Sequence, residues 1–313
     1  MQLRKLGNSG LSVSVVGLGC NNFGRRIDLE ASRAVIDKAL DEGITLFDTA
    51  DVYGDRGGSE LILGEVLGSR RQDIVLATKF GMSMNDAGTQ SGGSRRYIVS
   101  AVEASLTRLK TDWIDLYQLH APDSATPMEE TLRAMDDLLT QGKVRYIGCS
   151  NVPAWQVADA QWISKSLGIN RFISCQDEYS LVVRGIEKDL VPAMTAYGMG
   201  LLPYFPLACG LLTGKYARDT MPEGTRLAST PSLADRYLND RNWQIVDDLS
   251  AFVARRGHSL LELAFSWLAS RPTVSSVIAG ATKPEQVAQN VAAVGWDITP
   301  DELSDIEKII MPA

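Results

Sequence analysis

The sequence predicts an α/β protein built as a (β/α)8 TIM barrel behind an N-terminal β-hairpin, and three observations predict it. Eight short apolar runs of strand length recur, beginning at Val15, Ile44, Ile74, Trp113, Val144, Phe172, Met199 and Val274. Segments with apolar residues at helical spacing separate them. Most steps from one run to the next are about 30 residues, the length of one strand-and-helix unit. Parallel strands need such crossovers, and eight units in a row close into a barrel. The 313 residues fit one barrel domain spanning 1–313, with room for extra helices and long loops at the C-terminal face.

The hairpin comes first. Leu11, Val13 and Val15 alternate with Ser12 and Ser14, and Gly7-Asn-Ser-Gly10 divides them from Leu3-Arg-Lys-Leu6, a turn between two period-two segments. Between the first and second barrel strands, Ala31, Val35 and Ala39 form one helical stripe. Before the fourth, Ile98, Val102, Ser105 and Leu109 form another. Two steps are longer than the rest, 74 to 113 and 199 to 274. The first holds the Gly/Ser-rich segment 81–96 and the second holds 207–240. Long loops in compact domains usually carry function, and here both leave the carboxyl ends of strands. They are expected to wall a substrate pocket. Trp155, Trp162, Trp243, Trp267 and Trp296 fall in or beside helical patterns and are expected to pack between helices and barrel.

Composition narrows the function. Lys plus Arg is 31 against 38 Asp plus Glu, a net charge of −7 without a run of like charge, which argues against a nucleic-acid partner. No apolar stretch has the length to cross a bilayer, and the start lacks the apolar core of a signal peptide. Cys20, Cys149, Cys175 and Cys209 stand singly, as expected of reduced thiols in a cytoplasmic protein. No spacing suggests a metal site. The oligomeric state is left open, a monomer included.

Two phosphate-binding patterns fail on inspection. Gly17-Leu-Gly19-Cys-Asn-Asn-Phe-Gly24 has Asn22 where a dinucleotide fingerprint needs glycine, and the helical pattern starts only near Asp28. Gly210-Leu-Leu-Thr-Gly214-Lys215 lacks both the first glycine of a P-loop and its Ser/Thr after the lysine.

The chemistry lies elsewhere. Asp48, Lys79 and His120 end the second, third and fourth barrel strands, and Tyr53 follows Asp48 closely. In a barrel those ends share one rim. Each residue alone has an ordinary structural role open to it, but their common position suggests a site.

With these residues in view, the chain resembles the aldo-keto reductases over nearly its whole length. The strings that carry the resemblance are Gly17-Leu-Gly-Cys20, Asp48-Thr-Ala-Asp-Val-Tyr53-Gly54, Ser105 to Asp112 running on to Leu116-Tyr-Gln-Leu-His120, Gly148-Cys-Ser-Asn151, Pro206 to Lys215, and Ile278 to Gln286 with Asn290. The resemblance implies NADPH-dependent reduction of aldehydes or ketones, with Asp48, Tyr53, Lys79 and His120 as the catalytic tetrad. Tyr53 would be the proton donor, its pKa lowered by Lys79. Asp48 would keep Lys79 charged, and His120 would orient the carbonyl. Hydride must come from the cofactor.

The resemblance also implies that Ser150, Asn151 and Gln176 bond the nicotinamide amide while Tyr204 stacks on the ring. Ser150-Asn151 has a second reading, as the cap of the helix near Pro153. Leu207, Gly210, Leu212 and Lys215 match the family's pyrophosphate loop, and Gly280, Thr282, Lys283, Gln286 and Asn290 its adenosine site. Thr282 and Lys283 precede Pro284, so a helix N-terminus and a cation would together favour the 2′-phosphate of NADPH. Asn22, Phe23 and Phe80 are expected to shape the substrate pocket. With no long tail after the last helical pattern, that pocket is expected to be open and the small-molecule carbonyl specificity broad. A second function stays in view, because some proteins of this fold act as potassium-channel beta subunits and use bound cofactor as a sensor.

Overall fold

The computed structural model describes residues 1–218 and 220–311. Strands β1 (Leu3–Lys5) and β2 (Ser12–Ser14) form the antiparallel hairpin, with Leu3 opposite Ser14. Eight parallel strands follow: β3 (Val16–Gly19), β4 (Leu46–Asp48), β5 (Val75–Phe80), β6 (Ile114–Leu119), β7 (Val144–Ser150), β8 (Ser174–Glu178), β9 (Gly200–Tyr204) and β10 (Val277–Gly280). Sequence neighbours are sheet neighbours, and β10 returns to lie beside β3. The seam between β9 and β10 is closed by a bridge from Leu201 to Val274, where Leu201 N donates to Thr273 O at 2.7 Å and Ser275 N donates to Leu201 O at 2.9 Å. Val274, expected to open the last strand, is therefore a single bridge, and the ladder to β3 begins at Val277.

The crossovers begin with α1 (Leu29–Asp41), α2 (Tyr53–Leu67), α3 (Arg95–Leu109), α4 (Met128–Thr140), α5 (Ala154–Leu167) and α6 (Leu190–Tyr197). The long segment after β9 holds α7 (Arg226–Ser229), α8 (Pro231–Tyr237), α9 (Asp240–Ala254) and α10 (Leu260–Ala269). After β10 come α11 (Pro284–Ala292) and α12 (Pro300–Ile310). The starts are capped as the side chains dictate. Asp28 accepts from Ala31 N at 2.9 Å before α1, and Thr299 with Glu302 forms a capping box at α12.

Two cores result from the two-residue period of the strands. Outward residues such as Phe47, Phe80, Tyr117 and Ile147 meet the helices in one continuous apolar layer. Inward residues Leu46, Ala77, Leu116, Leu202 and Ile278 form a smaller core inside the barrel. The hairpin closes the lower end of this inner core with Leu6 and Val13. Gly17 is a filler of the interior, since a Cβ there would lie 2.9 Å from Ser276 Oγ and 3.2 Å from Leu46 Cδ2.

Trp243 and Trp267 are buried as expected, but Trp155 and Trp162 are 68% and 56% exposed. The buried face of α5 is Val157, Ala160, Gln161 and Ser164. Seven residues apart, the two tryptophans share the opposite face. His258 stacks on Trp296 with centroids 4.0 Å apart, a surface-layer contact.

Helix α2 lies close against α3 at Gly64, where an added Cβ would stand 2.3 Å from Arg108 O and 2.8 Å from the Leu109 carbonyl carbon. Backbone cannot yield as a side-chain tip can. In an open helix Gly→Ala gains about 0.5–1 kcal/mol, but Gly64→Ala is expected to cost about 1–3 kcal/mol. Urea unfolding of the two proteins, with equal m-values, measures the sign.

Candidate active site

The inner residues change character along the barrel axis. Two positions beyond the apolar Leu46, Ala77 and Leu116 stand Asp48, Lys79 and Gln118, and Gln176 joins them from β8. Registers that pair Asp48 with Ala77, Lys79 with Gln118 and Ser150 with Gln176 keep this polar layer level. Lys79, with no exposed surface, donates from Nζ to Asp48 Oδ2 at 2.7 Å and to Thr49 O at 2.8 Å. The other carboxylate oxygen, Asp48 Oδ1, accepts from Gln176 Nε2 at 2.8 Å and Gln118 Nε2 at 3.3 Å.

Tyr53 and His120 lie against this pair. Lys79 Nζ is 5.0 Å from the Tyr53 ring centroid, and the Tyr53 and His120 rings meet edge to face at 5.6 Å. His120 follows β6, its N–H donating to Phe80 O at 2.8 Å. Burial, then the neighbouring Lys79 charge, depress its pKa to about 3, so the imidazole is neutral. Its Nδ1 is buried without a hydrogen-bond partner. For Lys79, burial opposes the charge, but Asp48 and then Tyr53 outweigh it and raise the pKa.

The Tyr53 pKa differs from the sequence expectation. Burial raises it, Lys79 pulls it down and Asp48 pushes it up again, and the net direction is upward. The expectation left out the burial of the phenol and counted only the pull of Lys79. Paired with Asp48 at 2.7 Å, it is one half of an ion pair whose far field is small.

The residues expected around a nicotinamide form one network. Ser150 Oγ donates to Gln176 O at 2.8 Å, Asn151 Nδ2 donates to His120 O at 3.1 Å, and Tyr204 OH donates to Asn151 Oδ1 at 2.8 Å. Asn151 has φ 59°, and α5 starts from Pro153 without a side-chain cap. The capping alternative for Ser150-Asn151 is thereby removed, because both side chains are engaged within the rim. Beyond β9, Leu207, Gly210 and Leu212 lie in a tight turn, where Gly210 N donates to Leu207 O at 2.8 Å and Leu212 N donates to the same oxygen at 3.2 Å. Gly210 has φ 100°, and a Cβ there would meet Lys215 Nζ at 3.0 Å. Gly280 ends β10, Thr282 N donates to Gln286 Oε1 at 2.7 Å, and Asn290 is buried. Lys283 is exposed at the N-cap of α11, which has Pro284 in its first turn and no side-chain cap. Its first N–H groups are therefore free of a capping side chain.

Two of the three residues expected to shape the pocket do not. Phe23 and Phe80 have no exposed surface. Phe80 follows inward Lys79 by one position, so it faces the helices and stacks on Tyr117 at 4.7 Å. Asn22 is buried too and ties the first strand's loop to the last strand, donating to Ala281 O at 3.2 Å. The expected walls behave differently. Segment 81–94 turns on itself, with Met84 N bonded to Gln90 O at 2.9 Å. The post-β9 segment returns so that Arg236 and Tyr237 both bond Glu178 at the end of β8.

Sequence reasoning missed Gln118 and Thr49. Gln118 had a signal, since it precedes His120 by two and so shares its face. The Thr49 contact is through a backbone oxygen and leaves no side-chain signature. Cys20, Cys149 and Cys175 lie buried behind the rim. Among the described residues, no cluster of three or more His, Cys, Asp or Glu side chains is arranged to hold a metal, and no helix is long and apolar enough to cross a membrane.

With this geometry in place, the similarity to known proteins becomes informative. Residues 15–311 match the model of the aldo/keto reductase family. The chain belongs to that family. It is 38% identical to a "Probable voltage-gated potassium channel subunit beta" of Oryza sativa subsp. japonica, over 99% of this chain and 97% of the relative. It is 34% identical to the L-glyceraldehyde 3-phosphate reductase of Escherichia coli O157:H7, over 99% and 92%, and 33% identical to the versiconal hemiacetal acetate reductase of Aspergillus parasiticus, over 100% and 98%.

The depressed His120 pKa carries a stability consequence for this aldo/keto reductase. Between about 6.5 and 3 the unfolded chain takes up a proton at this site that the folded chain refuses, so stability falls as pH drops through that window. The slope approaches about 1.4 kcal/mol per pH unit. Against His120→Gln, which has no such proton, the stability difference is expected to shift toward the variant from pH 7 to pH 4.5. Denaturant midpoints of both proteins across that range measure it.

Proposed function

We propose that this protein reduces aldehydes or ketones to alcohols with NADPH, with Tyr53 as the proton donor. The observation that carries the reading is the meeting of a fully buried, Asp48-held Lys79 with Tyr53 and a neutral His120 at one barrel mouth. When bound, the nicotinamide would supply the hydride that the carbonyl carbon takes up, since no side chain can. The carbonyl oxygen, gaining the electron pair of its π bond, takes its proton from Tyr53 Oη. Lys79 stabilises the phenolate left behind, and Asp48 keeps Lys79 protonated through the exchange. A neutral His120 donates a hydrogen bond to the same oxygen as charge develops on it, without competing as an acid.

Residues of the chain fit the cofactor. The polar groups of Ser150, Asn151, Gln176 and Tyr204 are suited to a carboxamide and its ring. The turn at Leu207, Gly210 and Leu212 with Lys215 suits a pyrophosphate, and the polar groups at Gly280, Gln286 and Asn290 suit an adenosine. The uncapped start of α11 with Thr282 and Lys283 suits a further phosphate. The reductase of Escherichia coli named above acts on an aldehyde by its name, which supports a small-molecule carbonyl substrate.

A second reading, a cofactor-binding channel subunit with little turnover, is favoured by the 38% identity to the rice protein. NADPH oxidation over a panel of aromatic aldehydes, short aldehydes, dicarbonyls and sugars separates the two. Under the first reading Tyr53→Phe lowers kcat by about 10²–10⁴-fold while NADPH still binds. Tight NADPH binding without turnover on any member of the panel favours the second. Lys283→Ala is expected to weaken NADPH binding about fivefold or more and leave NADH binding unchanged, since an exposed charge at a helix N-terminus contributes about 1 kcal/mol toward a phosphate. Titration of both cofactors measures the ratio.

A further inference from the structure

The backbone that carries Tyr53 is strained. Gly54, Asp55, Arg56 and Gly57 follow it with φ of 69°, 56°, 70° and 119°. Two of these bear side chains, for which left-handed backbone is costly and persists only where the surroundings over-determine it. The turn therefore needs external support.

Helix α3 supplies support at both ends of the turn. On the exit side, Gly57 lacks the Cβ that would lie 2.7 Å from Arg108 Cδ, and Arg108 Nε donates to Glu60 Oε2 at 2.7 Å. Glu60 also accepts from Thr78 Oγ1 at 2.5 Å on β5. On the entry side, Tyr97 OH donates to Asp51 Oδ2 at 3.1 Å, and Asp51 N donates to Lys79 O at 3.0 Å. Tyr97 sits in the first turn of α3 and Arg108 in its last. The two grips are thus about three helical turns apart on one rigid rod.

Asp51 is a buried acid that the reaction steps leave unused. It is 1% exposed, and its Oδ1 is buried with no partner. Its carboxylate bonds neither the Lys79 ammonium nor the Tyr53 phenol, so it is no part of a proton relay. Burial, then the nearby Glu60 charge, raise its pKa to about 7, and the Tyr97 hydroxyl and Arg108 work the other way. An acid kept in so unfavourable a place, with one side-chain bond to a neighbouring helix and two residues ahead of Tyr53, has a geometric use.

We propose that Asp51 and Tyr97 are positioning residues, whose buried hydrogen bond fastens the entry of the left-handed turn to α3 and so fixes the Tyr53 phenol against Lys79 and His120. The inference rests on the reading of Tyr53 as proton donor for its kinetic effect, though not for its structural one.

The test compares wild type, Tyr97→Phe and Asp51→Asn in two ways. One is kcat, KM and NADPH affinity with an aldehyde substrate. The other, independent of turnover, is the fluorine resonance of 3-fluorotyrosine placed at position 53. Tyr97→Phe is expected to lower kcat about tenfold or more, leave NADPH affinity within about twofold, and shift or broaden the fluorine line. Asp51→Asn, whose amide oxygen still accepts from Tyr97, is expected to restore kcat to within about threefold of wild type and leave the line in place. Asp51→Ala removes the bond from the other side and reads the same quantities if Tyr97→Phe does not fold. A wild-type kcat and fluorine line in Tyr97→Phe overturn the proposal, as does an equal fall of kcat and NADPH affinity, which marks general loosening. If wild type reduces no carbonyl, the functional reading fails, while the fluorine line still decides whether the latch sets Tyr53.

Discussion

The ammonium of Lys79 stands where no water reaches it, and the upper half of the barrel is arranged around that charge. A buried cation without partners is costly enough to lose its proton. Here it is kept by Asp48 and by the carbonyl of Thr49, and Asp48 in turn is satisfied by Gln118 and Gln176. Residues from β4, β5, β6 and β8 must therefore stand at one height. A slip of one residue in any of these strands would turn its polar group into the outer apolar layer and leave the charge uncompensated. Register and ionisation are thus coupled, each enforcing the other.

The same pairing and burial together set the electrostatics of the neighbours. Burial, with Asp48 added, outweighs the downward pull of Lys79 on the Tyr53 pKa, while burial and the Lys79 charge together hold His120 neutral. The site therefore presents a protonated phenol and a neutral imidazole side by side. Around it, Ser150 is held by the backbone oxygen of Gln176, Asn151 by that of His120, Tyr204 by Asn151 and the Gln176 amide by Asp48, which orients their polar groups before any ligand arrives. Such preorganisation lowers the ordering cost of binding.

Support for this arrangement comes from beyond the rim. The hairpin fills the lower end of the barrel with Leu6 and Val13, so the inner core is apolar beneath the polar layer. Outside, α3 approaches α2 so closely at Gly64 that only glycine fits. That closeness brings Tyr97 and Arg108 within reach of the turn that bears Tyr53. Packing between two helices is in this way linked to the placement of one hydroxyl.

Much of this was legible in the chain. The regular recurrence of apolar runs and helical stripes gave eight strands in their order, because the repeat length of a strand-and-helix unit is set by local geometry. Asp48, Lys79 and His120 were visible as candidates because each ends a run, and barrel strand ends share a rim. Gln118 was equally legible by its spacing from His120. What the sequence alone does not carry is orientation that depends on a neighbour. Phe80 looked like a pocket wall and proved to be core, since the face of Lys79 decides the face of the next residue. Trp155 and Trp162 looked like core and proved exposed, since the face α5 turns inward depends on what α4 and the sheet offer it. The raised pKa of Tyr53 and the latch from Asp51 to Tyr97 belong to the same class. Local periodicity determined the elements of this protein, while contacts between residues far apart in the chain decided which way its side chains face and which charges they feel.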